Sequence, residues 1–184
     1  TFLLILTAIA MIMSYPLRHN NSNEMWFLPG DPNLVAFEKL QDLFGSSEYL
    51  IVGVKARDND KDIFEYETLM MINEISTMLE DHEIVEQVRS LSKYQRTYDK
   101  NGMVATDDLI EDFEELGDNP VIIENAREII KGEELALDSI ITSDLKHTRI
   151  LARTEYRAND NSHKIKVVND LRDFIKEKGY IQKG

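Results

Sequence analysis

The chain has 184 residues, a mass of 21.3 kDa, 42% hydrophobic residues and a net charge of −13. That length holds one domain, or two small subdomains sharing a core, and that apolar content can build such a core, which argues against wholesale disorder. An acidic chain without interleaved basic and aromatic residues has no attraction to phosphate backbones, so nucleic acid is not an expected partner. The absence of cysteine excludes disulfides, thiolate metal sites and a thiol nucleophile.

From Phe2 to Met13 every residue except Thr7 is apolar, and Tyr15, Pro16 and Arg18 follow. Twelve helical residues extend only about 18 Å, too short to cross a bilayer that needs about 20 residues. Three readings fit: a soluble helix, a signal-peptide core with Ala8-Ile9-Ala10 as a small-x-small site, or the outer end of a membrane helix that begins upstream. Because no Lys or Arg precedes the run, and Tyr15 and Arg18 suit a membrane interface, residues 1–17 are expected to end a truncated transmembrane helix. Residues 18–184 then form an extracytoplasmic domain at a cell membrane.

Residues 18–31 read as a polar linker with an apolar patch, Met25 to Leu28. The patch is expected to be extended and to pack on the next helix rather than to face an interface or a ligand. That helix is well punctuated, with Asp31 as N-cap, Pro32 in the first turn and Gly45 as its stop. Its expected apolar face is Leu34, Phe37, Leu40 and Phe44. Tyr49–Val54 reads as a buried strand. Asp62 and Glu65 resemble a capping box opening a helix with Leu69, Ile72, Ile75 and Leu79 on one side. A strand is expected within Ile84–Leu91.

Residues 100–140 hold 12 Asp and Glu against three Lys and Arg. The expectation there is an acidic helical insertion over 100–132, with helices at Asp107–Leu116 and Pro120–Lys131. Leu137–Thr142 and Thr148–Glu155 read as the arms of a hairpin. Ser162 opens a last helix with Ile165, Val168, Leu171 and Ile175 on one face and Gly179 at its end. Another strand is expected from Tyr180. Without the insertion the order is strand–helix–strand, hairpin, helix, which is the α/β (α+β) pattern of a ferredoxin-like split βαβ domain.

No residue pattern here carries catalysis. His19, His82, His147 and His163 are scattered and none has metal-ligand spacing. His82, between Asp81 and Glu83, reads as a solvated turn. Glu111, Asp112, Glu114 and Glu115 read as the wet face of a helix, with calcium or a basic partner as the alternative. There is no nucleotide-binding glycine pattern and no nucleophile elbow. Asn20-Asn21-Ser22 is a glycosylation sequon of low specificity. No enzyme activity, cofactor, metal or catalytic residue is therefore expected.

The order of Phe27-Leu28-Pro29, Asp31-Pro32, Phe44-Gly45, the strand Tyr49–Val54 and Val88-Arg89-Ser90-Leu91 resembles the first extracytoplasmic domain of the RND superfamily, nearest its MMPL-type exporters. Ser143, Asp144 and Thr148 resemble that family's Ser-x-Asp-Gly-x-x-Thr hairpin, with Leu145 near the usual glycine. The resemblance implies a polytopic transporter with two such porter domains. It would export lipids or other amphiphiles, driven by protons through membrane helices outside this sequence. The implied partners are an amphiphilic substrate, the membrane and the other domains of the same polypeptide. Separately, copies of the chain are expected to associate through the apolar N-terminal run or through the sheet edge left by the strand expected from Tyr180. The alternative from another class is a secreted or membrane-anchored module that binds a ligand or protein by itself.

Overall fold

A computed structural model describes residues 6, 7, 10, 11, 26–28, 30–45, 48–58, 60–117, 119–157 and 162–180. Most of the Phe2–Met13 run, the sequon, His19 and the chain after Tyr180 lie outside these residues. No helix of the described residues is long and apolar enough to cross a membrane.

Among the described residues from Trp26 to Tyr180, four α-helices and two small antiparallel sheets define an α+β domain. In chain order these are α1 (Pro32–Phe44), β1 (Tyr49–Lys55), α2 (Tyr66–Glu80), β2 (Val85–Arg89), β3 (Gln95–Lys100), β4 (Met103–Asp108), α3 (Pro120–Lys131), β5 (His147–Thr154) and α4 (Ser162–Glu177). The main sheet has the order β1–β5–β2, with β5 antiparallel to both neighbours. The strands β1 and β2 therefore run parallel, joined through α2 and split by β5. That is the arrangement expected of a split βαβ unit, and its two outer edges belong to β1 and β2.

Side-chain alternation sorts the sheet into two faces. Val54, Val88, Ile150 and Ala152 are buried, together with Leu69, Ile72, Ile75 and Leu79 of α2 and Val167 and Leu171 of α4. The opposite face carries Tyr49, Ile51, Arg149 and Arg153, and Ile51 is 60% exposed. Tyr49–Lys55 is thus a strand buried on one face only, not on both. Its register shows why, since Ile51 stands opposite Leu151 and Val52 opposite Ile150.

Several local expectations change. Asp31 does cap α1, accepting from the Asn33 backbone N–H at 2.8 Å, and Gly45 ends it at φ 81°. The helix face differs, however: Leu34 and Phe37 are half-buried, Gln41 is buried, and Leu40 and Phe44 point out. Asp62 does not form a capping box. Its side chain accepts from the Phe64 N–H at 2.9 Å, two residues on, and the N-cap of α2 is Glu65. In α4 the inner side is His163, Val167 and Leu171, while Ile165 is 61% exposed.

The acidic insertion is only half helical. The α3 bounds are as expected, but Asp107–Leu116 is not a helix. Its start completes a hairpin in which Gln95 pairs with Asp108 and Lys100 with Met103. The turn is Asn101-Gly102, with φ of 59° and 81°. Two positive φ values in succession are what a tight two-residue hairpin demands, and Asn-Gly is the pair that adopts them most readily. Asp112 then caps a turn at Glu114, and a single 3-10 turn covers Glu115–Gly117.

Leu137–Thr142 is likewise not a strand. Ile140 and Ile141 both donate to the Ala136 carbonyl, Asp138 sits at φ 62°, and only Ile141 bridges to Thr148. The following turn does close as expected, with the Thr142 N–H donating to the His147 carbonyl at 2.9 Å. Leu145 adopts φ 56° there. Its backbone takes a conformation that glycine adopts without cost. Its side chain is buried, and its carbonyl accepts from Ile63 N–H at 2.9 Å.

Candidate functional site: the groove along the free edge of β1

The edge of β1 away from β5 pairs with no strand among the described residues. Helix α4 runs alongside it in the same direction. Lys164, near the helix start, forms an ion pair with Glu48, just before β1, whereas Ile175, Gly179 and Tyr180 lie beside Val52–Lys55. A groove of about 340 Å³ opens between β1, α2 and the end of α4. Val52, Val54, Met71, Ile75 and Ile175 give it an apolar lining, and Lys55, Arg57 and Glu67 charge its rim, the last two as an ion pair. A smaller apolar pocket of about 230 Å³ continues along the same edge between Leu50, Val167 and Val168.

The closed end of the groove is built by the C-terminus of α4. Gly179 at φ 71° reverses the backbone, and the Tyr180 N–H donates to the Ile175 carbonyl at 3.0 Å. That bond satisfies a terminal helix carbonyl, as a C-terminal glycine motif does. The turn delivers the Tyr180 hydroxyl to Glu74 of α2 at 2.7 Å, where Lys178 also reaches the same carboxylate at 2.6 Å. Lys178 and then Tyr180 hold the Glu74 carboxyl below its ordinary range. Burial, reinforced by the Glu74 hydrogen bond, pushes the Tyr180 phenol up to about 12.

The edge of β2 differs in chemistry. A cleft of about 470 Å³ lies between it and the base of the β3–β4 hairpin, with Glu80, Glu86, Asp108 and Glu111 along its walls. Lys93 pairs with Glu80 at 2.7 Å, which offsets one charge of the wall, and the neutral amide of Gln95 donates to Asp108 at 2.9 Å.

The titratable and nucleophilic groups singled out in the sequence are dispersed. His82 is not a solvated turn: its side chain is 8% exposed, and its Nε2 lies 3.2 Å from Asp170 of α4. His163 is buried, with Nε2 3.1 Å from the Glu155 carbonyl oxygen. His147 is half-exposed beside Asp144. Glu111, Asp112, Glu114 and Glu115 are exposed to solvent. Ser76 donates to the Ile72 carbonyl at 2.7 Å and meets Ser90, which in turn meets Ser92, so these buried hydroxyls satisfy one another. No group of three His, Asp or Glu side chains among the described residues could hold a metal ion.

What the β1 groove can do is pair with an extended backbone and receive apolar side chains from alternate residues. It brings Val52 of β1 to the same groove as Ile175 of α4 and Tyr180 just beyond that helix, so no local spacing in the sequence marks it. The hairpin that walls the β2 cleft did carry a legible signal, the Asn101-Gly102 pair. Fold and groove together define the class: an α+β domain with a split βαβ sheet and an open, apolar strand edge. No family, curated protein or solved structure matches this chain.

Proposed function

We propose that the chain is the extracytoplasmic domain of an RND-type membrane exporter that handles hydrophobic or amphiphilic, lipid-like substrates. The observation that carries this reading is the β1–β5–β2 order with α2 crossing between the parallel strands. It agrees with the element order for which the sequence resembles a porter domain. The apolar run Phe2–Met13 ahead of the domain and the β1 edge, which pairs with no strand among the described residues, add support, because a porter unit of this kind is anchored in a membrane and completed by a further strand. On this reading the domain passes substrate and the energy source lies in membrane helices elsewhere in the polypeptide.

The test is the full-length gene and its product. It should encode many further apolar segments and a second domain of the same element order. Reconstituted in proteoliposomes, the product should move a fluorescent lipid only when a proton gradient is imposed. A reading frame that stops soon after Gly184, or a gradient-independent result, rejects the exporter reading and favours a module that binds by itself.

A further inference from the structure

Helix α1 carries its apolar side outward. At 100° per residue, Leu34, Phe37 and Gln41 share one stripe, Ala36, Leu40 and Leu43 a second centred about 125° away, and Phe44 falls between the two. The first stripe faces the domain, where Gln41 is the only buried residue of the helix. On the second, Leu40 is 53% exposed and Leu43 66%, and Phe44 beside them is 75% exposed. In the turn before the helix, Trp26 is 88% and Leu28 79% exposed. For these two residues this corrects the expectation that the patch packs on the helix; Met25 lies outside the described residues. A surface helix in water has the reverse polarity.

We propose that α1 and the Trp26–Leu28 turn lie on a bilayer surface, with Leu40, Leu43 and Phe44 at the boundary between headgroups and acyl chains. The proposal rests on the membrane reading of Phe2–Met13, and three observations select lipid as the occupant. The chain between Met13 and Trp26 spans at most about 45 Å when fully extended, so insertion of the apolar run leaves the surface within reach of α1. Lys39 and Asp42, one cation and one anion, both lie along one side of the outward stripe, which is therefore near neutral in a chain of net charge −13. That balance suits a zwitterionic headgroup layer, whereas a basic protein partner would match the rest of the surface better. An exposed tryptophan ahead of exposed aliphatic side chains, with a lysine able to extend to the headgroups, suits a membrane–water interface.

The absence of cysteine and the single tryptophan make the test direct. Spin labels on Leu43→Cys and on Lys176→Cys of α4 are measured in the full chain with phosphatidylcholine vesicles. The label at 43 should become accessible to oxygen and shielded from a water-soluble nickel chelate, and the label at 176 should show the opposite. Trp26 emission should shift to shorter wavelength on vesicle binding and lose that shift in a Leu40→Glu/Leu43→Glu variant. If the chain binds vesicles while the label at 43 stays as open to the chelate as that at 176, the surface placement of α1 is overturned and the membrane reading of the N-terminal run stands. Failure to bind vesicles at all overturns both. Spin–spin broadening at position 43 without lipid, relieved by unlabelled protein, would instead make a second copy of the chain the occupant and reject the proposal.

Discussion

The hydroxyl of Tyr180 donates to the carboxylate of Glu74, 106 residues earlier in the chain, at 2.7 Å. This bond fixes the end of α4 against α2 at the head of the β1 groove, and it sets a pH dependence of stability. The phenol is raised to about 12 from an ordinary value of 10. The folded state therefore holds a proton that the unfolded state releases, and the stabilisation is complete below pH 10 and lost as pH rises toward 12. Glu74 is lowered, so its contribution is present above the ordinary carboxylate pKa and disappears as pH falls through its folded value. Tyr180→Phe should cost about 1 kcal/mol at neutral pH and flatten the alkaline arm, and Glu74→Gln should flatten the acid arm. Urea midpoints measured from pH 3 to 12 check both; an unchanged alkaline arm in Tyr180→Phe would mean the bond is not formed in solution.

Ile51 and Ile150 lie on adjacent strands but on opposite faces of the main sheet. Ile150 is fully buried and Ile51 is 60% exposed. Ile150→Ala should destabilise the domain by about 3 kcal/mol, through lost transfer energy and the cavity left behind. Ile51→Ala should cost less than about 1 kcal/mol. Chemical denaturation of the two variants measures the difference, and equal losses would show that the strand register is wrong.

Arg127 of α3 holds the insertion to the loop ahead of α2. Its Nε and Nη2 donate to the two oxygens of Asp62 at 2.9 and 3.2 Å, and Nη2 also reaches the Phe64 carbonyl at 3.2 Å. A lysine supplies a point charge without that fork. Arg127→Lys should therefore lose about 1 kcal/mol and loosen α3 ahead of the main sheet. Amide exchange should rise in Pro120–Lys131 first.

The Asn101-Gly102 turn requires a left-handed backbone at both residues. Gly102→Val should cost about 1–2 kcal/mol within the hairpin. Because β3 and β4 form their own sheet, the loss should stay local. Faster amide exchange is expected at Gln95–Asp108, with protection of Ile72 and Ile150 retained. Loss of protection across all three segments would show that the hairpin folds as one unit with the core.

Much of the fold was readable from local chemistry. Pro32 and Gly45 bound α1, Pro120 and Gly132 bound α3, and the four apolar positions of α2 all turned inward, because turn residues and helical period act over a few neighbours. The strands β1 and β2 were found for the same reason, and so was the split βαβ order that follows from element sequence. Tertiary structure alone decided the rest. Leu40 and Phe44 have the spacing of a packed face, yet which stripe of α1 is covered depends on where the domain lies, and here it covers Gln41. Ile51 carries the same β-branched chemistry as Ile150, and only strand pairing puts one in water and the other in the core. Asp107 and Asp108 suit the first turn of a helix locally, but pairing with Gln95 and Arg96 across the Asn101-Gly102 turn holds them in a strand. The β1 groove is the extreme case, since Val52, Met71, Ile175 and Tyr180 are joined by no period and meet only when α2 and α4 pack on the same sheet face.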